Sequence, residues 1–115
     1  MKKRLKRWSK ADLDCLYGIK TFIEENLSQP LTLQQLTAEA AMNEKKLKEG
    51  FLFLHGTPLK QYILEKRMQA AHHLLCETDL PIKEIHSRCG YVNLSSFYRA
   101  FAGFYGYSPA TLRRI

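Results

Sequence analysis

Apolar residues recur at helical spacing along this chain, and they do so most regularly in the stretch from Thr57 to Thr78. One face of this stretch carries an apolar residue every three or four positions, which is the pattern of an amphipathic helix. The residues on that face are Leu59, Tyr62, Ile63, Ala70, Ala71, Leu74 and Leu75. Pro58 suits the first helical position, where no backbone donor is needed. The pattern predicts a central helix over about residues 58–77, roughly 30 Å long.

A first helix is predicted well before this central one. Ser9-x-x-Asp12 resembles a capping box at its start, and Ser28-Gln29-Pro30 ends it. The residues expected on its inward stripe are Leu13, Leu16, Tyr17, Ile23 and Leu27.

A short helix, a tight turn and a second capped helix follow. Thr32-x-x-Gln35 opens the short helix, and Asn43 is a good N-cap for the second. The inward residues are Leu33, Leu36 and Ala40, then Leu47, Phe51 and Leu54. These parts predict a helix-turn-helix at about residues 32–55.

The same order of parts returns after the central helix. Pro81 breaks the chain, Asn93 repeats the N-cap, and Ser108-Pro109 starts a last short helix. The inward residues are Ile82, Ile85 and Cys89, then Phe97, Phe101 and either Phe104 or Tyr105. A second helix-turn-helix is predicted at about residues 81–105.

The two units align at an offset near 50 residues. Leu33-x-x-Leu36 parallels Ile82-x-x-Ile85, and Met42-Asn43 is expected to parallel Val92-Asn93. The predicted fold is therefore all-α, with seven helices forming two helix-turn-helix subdomains joined by a long central helix.

The net charge of +7 is unevenly spread. Residues 1–10 carry +6, residues 11–39 carry −4, and residues 40–115 carry +5. Residues 1–10 show no usable periodicity, so we expect a flexible basic arm or linker there. The charges predict a domain over 11–115 that turns a basic face toward a polyanion. An arm that serves solubility alone is the alternative that the charges leave open.

Composition limits the cellular compartments in which this protein is expected. No apolar run reaches the length of a membrane span, and the charged N-terminus lacks the apolar segment of a secretory signal. Three cysteines without C-x-x-C spacing favour reduced thiols in a cytoplasm.

Five motifs make the second half similar to the DNA-binding domain of the AraC/XylS family of bacterial transcription regulators. They are R-M-x-x-A-x-x-L-L at 67–75, I-x-x-I at 82–85, G-Y-x-N at 90–93, S-S-F-Y-R-A-F at 95–101 and G-Y-S-P at 106–109. The first half matches through P-L-T-L-x-x-L and L-x-x-x-F, and N-E-K-K-L-K-E-G-F resembles the siderophore- and iron-responsive branch.

The resemblance implies sequence-specific binding of double-stranded promoter DNA in the cytoplasm, at the nucleoid. It implies RNA polymerase as a second partner. It also implies a monomeric DNA-binding domain whose effector-binding domain is absent from this chain, so that the chain is either the C-terminal part of a longer regulator or a small stand-alone one.

In a helix-turn-helix the second helix enters the major groove, and its N-terminal part meets base edges. The candidate DNA-binding residues of the first unit are Lys45, Lys46, Lys48 and Glu49. Lys donates to guanine and Glu accepts from cytosine. Matching to the family favours Lys45, Lys48 and Glu49 for bases and Lys46 for phosphate. Alternating Lys and Glu also occur on an ordinary solvated helix.

The candidates of the second unit are Leu94, Ser95, Ser96, Tyr98 and Arg99. Arg99 is the strongest of them, because Arg is the commonest specific reader of guanine. The competing interpretation is a structural Arg that bonds a carboxylate or a phosphate.

The sequence gives little support for metal binding or catalysis. His72 and Cys76 have the i, i+4 spacing of metal ligands, but a zinc site needs three or four ligands, so we predict no metal and no cofactor. No nucleophile with its base can be assembled, so we predict no enzyme activity. The alternative function is a basic helical module that binds a protein without sequence-specific DNA binding.

Overall fold

The computed structural model describes residues 8–115, and that part of the chain folds into seven helices without a strand. In chain order they are α1 (Lys10–Glu25), α2 (Leu33–Ala40), α3 (Glu44–His55), α4 (Leu59–Glu77), α5 (Ile82–Arg88), α6 (Leu94–Tyr105) and α7 (Pro109–Arg114). The all-α prediction with a long central helix is confirmed. No described helix is long and apolar enough to cross a membrane.

The helices divide between two compact units. The first unit contains the described residues up to Asn26 together with Leu31–Tyr62, and the second contains Leu27–Pro30 with Ile63–Ile115. The central helix α4 thus contributes its first turn to one unit and the rest of its length to the other.

The core of the first unit forms where α1, α2 and α3 meet. Its fully buried side chains are Leu16, Ile19, Ile23, Leu36, Leu47 and Phe51. The expected inward position of Tyr17 was wrong, since its side chain is 58% exposed. Leu16, Ile19 and Ile23 already form the inward stripe, and the residue directly after Leu16 points about 100° away from it.

Trp8 extends this core beyond the start of α1. Its side chain is only 7% exposed and stacks on Phe53 with ring centroids 6.1 Å apart. A Cβ added at Gly50 would lie 3.0 Å from the indole, so the absence of a side chain there makes room for the ring. Ser9 then caps α1. The arm predicted over residues 1–10 therefore includes three residues that belong to the folded unit, while residues 1–7 lie outside the described part of the chain.

The core of the second unit is built by α4, α5 and α6. Its buried residues are Met68, Ala71, Leu75, Ile85, Cys89, Phe97 and Phe101. Tyr105 rather than Phe104 packs against this cluster, and its hydroxyl donates to the backbone oxygen of Met68 at 3.0 Å.

Arg113 of α7 closes the far end of α4. Its guanidinium donates to the backbone oxygens of Leu74, Leu75, Thr78 and Leu80. The last carbonyls of a helix lack full intrahelical partnering, and this one planar side chain donates to two of them, those of Leu74 and Leu75, and to two carbonyls just after the helix.

The turns that precede α3 and α6 begin alike. Each contains one residue in the left-handed region, Ala41 with φ 53° and Gly90 with φ 87°. The next residue donates its N–H five positions back, from Met42 to Thr37 at 3.2 Å and from Tyr91 to His86 at 2.9 Å.

The two turns differ in length after this point. Asn43 follows Met42 directly, whereas Val92 stands between Tyr91 and Asn93. Met42 therefore corresponds to Tyr91 and not, as the sequence alignment suggested, to Val92. The turn of the second unit is one residue longer than that of the first.

Candidate nucleic-acid interface

Helix α3 begins with a side-chain cap. The Oδ1 atom of Asn43 accepts the backbone N–H of Lys46 at 2.8 Å, with the backbone of Asn43 extended. The cap satisfies one of the four donors that a helix start leaves free. It also fixes where the chain enters α3, and so which residues occupy its first two turns.

The candidate residues of α3 differ in their surroundings. Lys45 and Lys48 are exposed, whereas Lys46 and Glu49 are half-buried. Lys48 pairs with Glu44 at 3.0 Å, one turn earlier on the same helix. Because both partners of this ion pair are exposed, it is worth well under about 1 kcal/mol and breaks easily in favour of another anion.

Lys46 has a partner on another helix. Its Nζ lies 3.1 Å from Oδ1 of Asp12, which also takes part in the capping box with Ser9. The backbone N–H of Ser9, followed by Lys46, holds the pKa of Asp12 below its usual value. This ion pair ties the first turn of α1 to the first turn of α3, a connection that nothing in the local sequence pattern indicated.

A surface groove lies beside the start of α3. Its lining residues are Trp8, Asn43, Lys45, Lys46 and Glu49. The buried indole therefore brings the beginning of the described chain next to three of the four candidate residues of this helix.

Helix α6 begins with the same cap as α3. Oδ1 of Asn93 accepts the backbone N–H of Ser96 at 2.8 Å. Leu94, Ser95 and Arg99 are exposed on this helix, and its first turn contains no acidic residue.

Ser96 and Tyr98 are half-buried. The Tyr98 ring meets Phe97 edge-on, with centroids 6.3 Å apart. The five predicted residues of this unit thus lie on one short stretch of helix, with three side chains open to solvent and two partly covered.

Arg99 occupies the position that its spacing predicts. Phe97 and Phe101 are fully buried, and Arg99, midway between them, is exposed. Within the described residues it makes no hydrogen bond or ion pair to another side chain. Its forked guanidinium is therefore available to a ligand without breaking an existing interaction.

The turn before α6 is supported by Arg67, a residue that the sequence analysis did not propose for the interface. Arg67 of α4 donates through one guanidinium nitrogen to the backbone oxygens of Gln29, at 2.7 Å, and Pro30, at 3.3 Å. The same guanidinium lies 5.7 Å from the Tyr91 ring centroid, within cation–π distance. Burial lowers the pKa of Arg67 and raises that of Tyr91.

Gly90 makes this arrangement sterically feasible. A Cβ on it would lie 2.4 Å from the backbone oxygen of Leu27 and 2.7 Å from Cζ of Arg67. Gly90 and Arg67 were visible in the sequence only as motif letters, and their structural role depends on this close approach.

The described residues offer little for metal or redox chemistry. They contain no group of three or more His, Cys, Asp or Glu residues that could hold a metal ion. Burial raises the pKa of Cys89 to about 11, so that thiol stays protonated at neutral pH. Cys76 is exposed and lies 3.8 Å from Nδ1 of His72.

Comparison with known proteins places these features in a family. A helix-turn-helix domain profile matches residues 36–115. The probable transcriptional regulator LumQ of Photobacterium leiognathi is 31% identical over 91 residues, which are 79% of this chain and 37% of LumQ. The melibiose operon regulatory protein of Escherichia coli K12 is 31% identical over 94 residues, 82% of this chain and 31% of that protein.

Solved structures give the same result for the fold. The C-terminal domain of AraT, a response regulator from Geobacillus stearothermophilus, superposes with a TM-score of 0.83 at 29% identity, covering 94% of this chain and 87% of that one. The DNA-binding domain of AdpA, determined in complex with a target DNA, gives a TM-score of 0.81 at 26% identity, covering 86% and 89%.

The chain spans about a third of the length of the curated relatives it matches. The match nevertheless covers most of this chain, since the profile runs from Leu36 within α2 to the last residue. The chain belongs to the AraC/XylS-type family of helix-turn-helix DNA-binding domains of transcription regulators.

Proposed function

We propose that this chain binds double-stranded promoter DNA sequence-specifically, with α3 and α6 as its two recognition helices in successive major grooves. The observation that carries the proposal is the repeated helix start. In each unit an Asn cap fixes the entry of a helix whose first two turns expose basic side chains, Lys45 and Lys48 on α3 and Arg99 on α6. Side chains at the N-terminal part of such a helix meet base edges in the major groove.

In the first unit we assign Lys45, Lys48 and Glu49 to base edges. The exposure of Lys45 and Lys48 supports this assignment. Lys46 is assigned to phosphate, where a lysine acts as a point charge and can keep its ion pair with Asp12 nearby.

In the second unit Arg99 is assigned to guanine. The serines Ser95 and Ser96 are assigned to base edges or phosphate, and Leu94 to an apolar base contact. Tyr98, half-buried beside Phe97, is assigned to the sugar-phosphate backbone, with its hydroxyl as donor.

The proposal also covers where the domain acts and what it contacts besides DNA. The domain acts in the cytoplasm on nucleoid DNA, contacts RNA polymerase when bound at a promoter, and carries out no catalytic step. The five basic residues among residues 1–7 neutralise phosphates in this proposal.

Selection of bound duplexes from a random pool tests the proposed function. We expect one preferred duplex that binds at least about 10³-fold more tightly than random DNA, with an affinity that falls steeply as salt is raised. The alternative, a basic module for a protein partner, predicts salt-sensitive binding without any preferred sequence. Failure to enrich a sequence would overturn the proposal.

We expect one chain per minimal site, because each chain carries two recognition helices of its own. Sedimentation or native mass spectrometry of the complex with the selected duplex gives the stoichiometry. Two chains per minimal site, retained after removal of residues 1–7, would contradict the prediction.

Deleting residues 1–7 is expected to weaken binding to all duplexes and to flatten the salt dependence. The deleted segment holds five basic residues, and each phosphate that is no longer neutralised makes the slope of log K against log salt shallower by about 0.9. The deletion stops short of Trp8 because that residue belongs to the core.

A chain of full length with those five residues changed to glutamine is the matched control for the arm deletion. It should behave like the deletion if charge is the cause. An unchanged slope in both variants would show that the arm does not contact DNA.

A further inference from the structure

Val92 is the extra residue in the turn that leads into α6. The turn before α3 passes from its left-handed residue through Met42 straight to the capping Asn43. In the second unit Tyr91 takes the place of Met42 and packs beside Phe97, with ring centroids 5.8 Å apart. Val92 therefore has no counterpart in the first unit and no part in the core.

The side chain of Val92 is 95% exposed, whereas Met42, directly before the equivalent cap, is 9% exposed. Leu94, on the other side of Asn93, is also exposed, at 37%. The start of α6 thus presents two branched apolar side chains to solvent, one on each side of its cap.

A single exposed apolar residue is ordinary on a protein surface and carries no meaning by itself. Val92 is different because it lies directly before the cap of α6, and base edges are contacted from the N-terminal end of a recognition helix. An aliphatic side chain has neither donor nor acceptor, so it can distinguish a base only by contact with an apolar group. Among the bases in the major groove, thymine presents such a group, its C5-methyl.

We propose that Val92 is a specificity-determining residue that contacts the C5-methyl group of a thymine, with Leu94 completing the apolar contact. The inference rests on the proposed function, since it assigns a base to one end of the proposed recognition helix α6. It predicts that the preferred duplex contains a thymine whose methyl group contributes to affinity through Val92.

Replacing each thymine of the selected duplex in turn with deoxyuridine provides the test, because this exchange removes the methyl group and keeps every hydrogen bond. We expect the unaltered protein to lose about fourfold in affinity at one thymine, the effect of burying one group the size of a methylene. With Val92→Ala the affinity for the thymine duplex should fall by a similar factor. The penalty for deoxyuridine at that position should then largely disappear.

Ile115→Ala is the matched control for Val92→Ala. Ile115 is also 95% exposed, and it follows α7 rather than preceding a recognition helix. The control variant should keep both the affinity and the deoxyuridine penalty. Val92→Thr, which keeps the branched shape and replaces a methyl with a hydroxyl, should give an intermediate penalty.

Two outcomes would overturn the inference. In one, a preferred duplex exists but no deoxyuridine exchange is coupled to Val92, so that the unaltered protein and Val92→Ala lose affinity equally at every thymine. In that case the proposed function would stand. In the other, selection enriches no duplex at all, which would overturn the proposed function and this inference together.

Discussion

Gly90→Ala is expected to unfold the second unit or leave it only marginally stable. Gly90 has φ 87°, a region that costs an alanine about 1–2 kcal/mol. The new Cβ would also lie 2.4 Å from the backbone oxygen of Leu27, which belongs to the same unit and cannot move as a side-chain tip could. Overpacking of this kind costs about a further 1–3 kcal/mol. The combined loss of about 2–5 kcal/mol is a large part of the stability of a small domain.

Gly106→Ala is the control for this experiment. Gly106 has nearly the same backbone conformation, φ 85°, but a Cβ there would meet nothing within 4 Å. Only the conformational cost applies, so the variant should lose about 1–2 kcal/mol and keep its fold. Urea denaturation followed by circular dichroism compares the two variants. Equal losses would show that the close approach to Leu27 and Arg67 does not matter.

Arg99→Ala is expected to weaken binding to the preferred duplex by about 1–3 kcal/mol, roughly 5- to 150-fold. The physical reason is the loss of a forked donor at the outward position between two buried aromatics, which no smaller side chain replaces. The variant should also bind one or two altered base pairs about as well as the original ones. Its thermal stability should stay unchanged, because the side chain is exposed and no core atom is removed. Competition binding against a panel of single-base variants measures both effects.

The control for charge is Arg114→Ala, which removes an exposed arginine from the end of α7. It should change affinity little and selectivity not at all. Lys48→Ala makes the parallel test in the first unit, with a smaller expected loss of selectivity since lysine also serves phosphate. If Arg99→Ala weakens every duplex equally, Arg99 contacts phosphate, and if the variant unfolds, its role is structural.

The sequence determined the helices and most of their inward faces. Helical periodicity and capping residues can be recognised within a short segment, because the residues of one buried helix face lie three and four positions apart in the sequence. Asn43 and Asn93 cap α3 and α6 as predicted. The outward position of Arg99 between Phe97 and Phe101 also followed from spacing alone.

Tertiary structure decided what depends on contacts between distant parts of the chain. The lack of periodicity around Trp8 predicts a flexible arm, yet this residue is buried against Phe53. Lys46 looked like any outward lysine until Asp12, more than thirty residues earlier, proved to be its partner. No periodic pattern contains such pairs, since they arise only when helices pack.

The turns before α3 and α6 show most clearly which features follow from local sequence and which depend on tertiary structure. Local chemistry identified both as turns, but only the backbone hydrogen bonds showed that the second is one residue longer. Arg67 and Gln29, 38 residues apart, meet beneath that turn and require a glycine at position 90. A sequence specifies local conformation through neighbouring residues, whereas close approach of distant backbone segments is fixed only once the whole unit has packed.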